Sequence, residues 1–190
     1  METGAQFKIV GHVHAIDQDT KEVLIDKKNA IHPQNMARVI ARGLAHEANS
    51  YVLKMGLGNG GTHINTSLQI TYLTPNVSGT EATLYNGTYE EQIDDQTAGT
   101  PSTNSVISAA SPAPAITSIV TCTMELDATE PNGQAVSDGI TTNPDSTFTF
   151  DELGLYSPDG LLLSHIVFNP IEKTANRSIL ITYTLTISVS

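Results

Sequence analysis

At 190 residues and a formal net charge of −11, the chain is long enough for one domain with a sizeable core. It is too acidic to bind nucleic acid through the phosphates, because it has no basic patch to release counterions. One cysteine, Cys122, excludes an internal disulfide, and no stretch approaches the roughly 20 apolar residues of a membrane-spanning helix.

METGAQFKIV has neither the basic start nor the apolar run of a signal peptide, so a cytosol-like compartment is expected. Residues 6–27 predict an N-terminal hairpin. Phe7, Ile9 and Val13 share one side, DQDTKE at 17–22 carries turn chemistry, and Val23-Leu24-Ile25 returns. Asp17 and Asp19 suit side-chain-to-backbone bonds in that turn. His12 and His14 share one strand face, a spacing that can hold a metal if copies around a symmetry axis add their imidazoles. A solvated polar face is the plainer reading.

A helix is predicted over 33–49. Pro33 suits its first turn and His32 or Asn35 its cap. Met36, Val39, Ile40, Leu44 and Ala48 recur at helical spacing. Gly43 costs about 1 kcal/mol against Ala, and a glycine inside a helix marks close approach of another backbone. Met36, Val39, Ile40, Gly43 and Leu44 are therefore the predicted interface residues. Lys27, Lys28, Arg38 and Arg42 lie in or just before the helix, so it is expected to face an acidic surface, the protein's own β-domain.

Tyr51, Leu53, Met55 and Leu57 alternate into the glycine run Gly58-Asn59-Gly60-Gly61-Thr62. No Lys-Ser/Thr follows the run and GxGxxG spacing is absent, so a tight loop with positive φ is expected instead of a phosphate loop. QITYL and TLYNGTYEEQI read as short strands. TAGTPSTNSVISAASPAP reads as a polar loop spanning about 97–115. Ile116–Leu126 reads as a strand, with Cys122 buried on the side of Val120, Met124 and Leu126. A second polar loop covers 127–146.

The C-terminal block is the most regular. Two strands flank the turn Ser157-Pro158-Asp159-Gly160, where Gly160 supplies a positive φ. In the closing strand Ile179, Ile181, Tyr183, Leu185, Ile187 and Val189 point one way; Thr182, Thr184, Thr186 and Ser188 point the other. Period two means one buried face, the other wet or against a second chain. Four Phe, six Tyr and no Trp, with abundant Thr, Ser, Asn and Gly, fit the same class. The predicted fold is one mainly β domain, an antiparallel β-sandwich or jelly-roll-like body with one helix. The sandwich spans 51–190, with loop insertions at 97–115 and 127–146.

No catalytic constellation emerges. His32, His46, His63 and His165 lack a nucleophile motif such as GxSxG, and HExxH is absent. His165, between Leu163 and Val167, reads as structural. The clusters Glu90/Glu91/Asp94/Asp95 and Asp17/Asp19 lack an EF-hand loop. The chain is expected to be non-enzymatic, without cofactor or metal.

The segment 29–44 (NAIHPQNMARVIARGL), followed by Gly58-Asn59-Gly60-Gly61-Thr62, Tyr72–Val77 and Leu84-Tyr85-Asn86, resembles virion structural proteins of tailed bacteriophages. Phe150–Leu155 and Ile166–Lys173 are similar to β-modules of phage tail, fibre and neck-region proteins. The resemblance implies a non-enzymatic virion component at the neck or collar, assembled in the host bacterial cytoplasm. It implies homo-oligomers and contacts with other neck, tail or fibre proteins, with no direct nucleic-acid partner and no membrane. The alternative is a receptor-binding fibre module, with Tyr85, Tyr89 and Tyr156 as candidate contacts, or a capsid decoration module. No functional residues carry over.

Overall fold

The computed structural model describes residues 6–93, 105–110, 117–131, 148–174 and 176–189. In chain order the strands are β1 (Phe7–Asp17), β2 (Val23–Lys28) and β3 (Ala30–Ile31), followed by helix α1 (Pro33–Leu44). Then come β4 (Lys54–Gly58), β5 (Thr62–Ile64), β6 (Ile70–Tyr72), β7 (Gly87–Gln92), β8 (Ser105–Ala110) and β9 (Thr117–Leu126). β10 (Phe148–Tyr156), β11 (Leu162–Lys173) and β12 (Ile179–Val189) complete the described chain.

The strands form an antiparallel sandwich. The front sheet runs β2-β1-β12-β9-β8, the back sheet β3-β11-β10-β4-β7, and β5-β6 make a separate hairpin. One core lies between the sheets. Val13, Ala15, Met124, Leu126, Ile181 and Tyr183 enter it from the front, and Met55, Leu57, Leu153, Leu155, Ile166 and Phe168 from the back.

The period-two strands behave as predicted. In β12 Ile179, Ile181, Tyr183 and Leu185 are buried, and Cys122 is buried in β9. The N-terminal hairpin forms, and Asp17 Oδ1 accepts from the amides of Asp19 and Thr20 at 2.9 and 2.8 Å. Asp19 takes no such role. Gly160 turns the β10–β11 connection with φ 80°.

Three expectations need correction. First, the helix stops at Leu44 and not near 49. Ala45 caps it, and His46 and Asn49 adopt left-handed φ of 56° and 63°, which aims the chain back toward the sheet. Gly43 meets no close backbone; a Cβ there would find only Ser50, at 3.8 Å. Second, Ser105–Ala110 is a strand inside the predicted 97–115 loop, held by its ladder to β9. The rest of that span, and 132–146 of the second loop, lie outside the described residues. Third, Tyr51 is exposed while Val52 is buried, so Tyr51 does not join Met55 and Leu57 in the core, and β4 itself is buried on both faces.

His32 is the N-cap. Its Nδ1 accepts from the Asn35 amide at 3.2 Å, which leaves Nε2 to donate to the Gly79 carbonyl at 2.8 Å. At the far end Arg42 pairs with Asp159 in the β10–β11 turn, so the helix does meet the β-domain's own acid there. Lys27 instead donates to the Val167 carbonyl.

Candidate functional site

Two features stand out: a buried polar cluster on the back sheet and an apolar groove beside α1. The cluster is built from neighbouring carboxylates in β10. On β11 the register jumps between Phe150↔Ile171 and Glu152↔Val167, leaving 168–170 as an irregularity that includes Pro170. A proline has no N–H to give a ladder, so it is tolerated at such a break. Asp151 accordingly turns to the glycine run and accepts from the amides of Gly61 and Thr62 at 2.8 and 2.9 Å, and from the Thr62 hydroxyl.

Glu152 is fully buried and fully occupied. Oε1 accepts from the Asn86 amide at 2.7 Å and the Gly60 amide at 3.2 Å. Oε2 accepts from the Tyr85 amide at 2.9 Å and from His165 Nε2 at 3.0 Å. His165 Nδ1 accepts from the Asn76 amide at 2.7 Å, which fixes the tautomer that donates to Glu152. Burial pushes the Glu152 carboxyl up. The His165 ring and the Asn86 and Tyr85 amides outweigh that effect and hold it below its ordinary value.

The glycine run is there for this approach. A Cβ on Gly58 would stand 2.4 Å from the Asn86 carbonyl oxygen and 2.5 Å from Glu152 Oε1. Among the described residues, the positive-φ glycines are Gly79 and Gly160, so the expectation of positive φ in 58–62 is replaced by one of tight contact. The cluster pins Gly60–Thr62, Asn76 and Tyr85-Asn86 onto β10 and β11. Above it, Ala82 and Leu84 pack on Tyr156 and Leu162 as a second small core.

His165 is structural, as expected from its place in the strand. Asp151 and Glu152 were not singled out in the sequence. What marks them is a pair of carboxylates inside an otherwise apolar strand, FTFDELGLY, a pattern that a buried strand carries only when donors await it.

The groove, about 320 Å³, runs between α1 and the front sheet. Met36, Val39 and Ile40 line it opposite Val106, Leu185 and Ile187. A similar hollow lies on the other side of Met36 and Ile40, against Phe7 and Ile9. Of the predicted interface residues, Met36 and Val39 are buried and Ile40 is half-buried; Gly43 and Leu44 are exposed, Leu44 by 84%. The hairpin β5-β6 adds exposed Ile64, Leu68 and Ile70, with Leu68 at 86% exposure and φ 59°.

The remaining candidates are scattered. His12 Nε2 lies 2.7 Å from Asp26 on the exposed face of the front sheet, and His14 follows it there. Glu90 pairs with Lys54, Glu91 accepts from the Tyr89 hydroxyl, and Asp94 and Asp95 lie outside the described residues. Among the described residues no group of three His, Cys, Asp or Glu side chains is arranged to hold a metal ion, and no helix is long and apolar enough to cross a membrane. Tyr85 is exposed, whereas Tyr89 and Tyr156 are buried, which removes those two as surface contacts. Comparison with protein-family models, curated proteins and solved structures found no match.

Proposed function

We propose that this chain is a non-enzymatic structural component of a tailed-phage virion, at the neck or collar, working through subunit contacts. The observation that carries the reading is the apolar surface along α1, where Met36, Val39 and Ile40 line a groove and Leu44 projects. An open apolar groove with an exposed leucine beside it is a surface that can take a partner's side chains. The residues quoted for the phage resemblance add weight, since 58–62, 72–77, 84–86 and 150–155 meet in one buried hydrogen-bonded cluster. In that cluster Glu152 and His165 use their hydrogen-bonding capacity on the protein itself, which suits a scaffold better than proton transfer to a substrate.

A receptor-binding module is the second reading. It is favoured by exposed Tyr72 and Tyr85, with the Tyr85 hydroxyl bonded to the Thr74 carbonyl two residues beyond Tyr72. Immunolabelling and imaging of intact particles of the encoding phage decide between them. Label at the head–tail junction supports the neck assignment. Label at fibre tips or over the capsid lattice moves the chain to a receptor-binding or decoration role. Absence from purified particles removes the virion assignment.

A further inference from the structure

We propose that two copies of this chain join edge to edge through β8, antiparallel about a two-fold axis, merging their front sheets into one. The inference rests on the sheet edge alone and is independent of the phage assignment.

Among the described residues the sandwich has four outer strands, β2, β8, β3 and β7. Natural sheets blunt such edges with charge, proline, irregularity or shortness, because an open row of N–H and C=O groups templates pairing with another chain. β2 carries Asp26, Lys27 and Lys28 and a register shift opposite β1. β7 carries Glu90 and Glu91 and a register shift opposite β4. β3 is two residues long. β8, SVISAA, has none of these devices. It pairs with β9 in unbroken register from Ser105↔Thr123 to Ala110↔Ser118. Among the described residues no strand lies beyond it.

Charge leaves this edge as the place for a second copy. Each chain carries −11, so two copies repel across most of their surfaces. No charged side chain lies between Asp95 and Glu125. β8, with β9 behind it, is therefore where two copies meet without opposing like charges. A two-fold contact must also be self-complementary, and an antiparallel pair of identical edges meets that condition through its backbone.

The geometry fixes the register class. Cross-strand neighbours share a sheet face, so an axis normal to the sheet must pair residues of like parity. Val106 and Ser108 line the groove beside α1, and Ile107, 61% exposed, points the other way. Centring the pair on Ile107 sets it against its own counterpart and Val106 against the second copy's Ser108. The two grooves then adjoin across the axis.

Sedimentation velocity of the full chain over a concentration series tests this. The wild type is expected to form a dimer. Ile107→Lys and Ile107→Glu, at an exposed position, should each sediment as monomers with unchanged circular dichroism and melting temperature. Mixing the two variants should restore the dimer, because opposite charges then face each other. A wild type monomeric at every concentration overturns the proposal and leaves the edge to a foreign strand. A dimer that survives both substitutions also overturns it. So does one lost in Leu44→Glu but kept in the Ile107 variants, which places the contact on α1.

Discussion

The two sheets share one core but treat their outer faces differently. The back sheet is roofed by its own chain, with Ala82 and Leu84 over Tyr156 and Leu162 and the Asp151–Glu152–His165 cluster beside them. Among the described residues nothing is packed over the front sheet, whose outer face carries Thr182, Thr184 and Thr186 beside His12 and His14. A roofed face demands that every buried donor and acceptor be matched. A bare face needs only polar alternation. Energetic sensitivity should therefore be concentrated on one side of the molecule.

The sharpest break comes from Glu152→Ala. It strips the amides of Gly60, Tyr85 and Asn86, and His165 Nε2, of their acceptor. Each buried donor left without its acceptor costs about 1–3 kcal/mol, and urea denaturation should show a fall of several kcal/mol. A fall below about 1 kcal/mol, the net worth of one ordinary hydrogen bond, would mean that the roof does not depend on the cluster.

Next is a glycine contrast. Gly58→Ala drives a Cβ into the Asn86 carbonyl and Glu152, and overpacking of this kind costs about 1–3 kcal/mol. In Gly43→Leu the new Cβ meets only Ser50, the rest of the side chain has the groove to enter, and leucine is the better helix former by roughly 0.8 kcal/mol. The variant's melting temperature should hold or rise while subunit assembly weakens. Equal destabilisation by both substitutions would erase the contrast.

Acid titration gives a third, smaller effect. The Thr20 amide, opposed by burial and aided by Arg177, holds the Asp17 carboxyl at about 2 against an ordinary 3.8. Glu152 is also held low. A carboxyl with a depressed folded-state pKa favours folding above its unfolded value and loses that contribution as pH falls through the folded one. Melting temperature should thus drop on acidification, for Asp17 between about 3.8 and about 2. Asp17→Asn should flatten that part of the profile. An unchanged profile would remove Asp17 as its source. Smallest is His12→Ala on the bare face, which breaks only an exposed pair with Asp26. It should change stability by less than about 1 kcal/mol, as read from the same urea midpoints.

The sequence was legible where local chemistry and burial agree. β12 alternates because one face meets the core, and Gly160 marks its turn because the turn requires positive φ. It was opaque where tertiary contact decides. β8, SVISAA, lacks period-two alternation, and only its ladder to β9 makes it a strand. The end of α1 is set by His46 and Asn49 in left-handed conformations, which both residue types adopt more readily than most but which the apolar spacing through Ala48 masks. In the candidate site, His165 could be read from its strand. Glu152 lies thirteen positions away, and its amide donors lie more than sixty away in the chain. No local pattern could announce that meeting.

The position of β12 has a consequence for biosynthesis. It lies between β1 and β9, and its register joins Phe7 to Val189. β1 leaves the ribosome before β12 does and must wait, with β2 beside it, until the intervening strands and β12 itself have been translated. Such long-range closure is slow, and the waiting strands are sticky. A nascent chain that stalls before Ile179 turns β1 and β9, both interior in the finished sheet, into open edges. Such truncated products should require a holdase or be degraded.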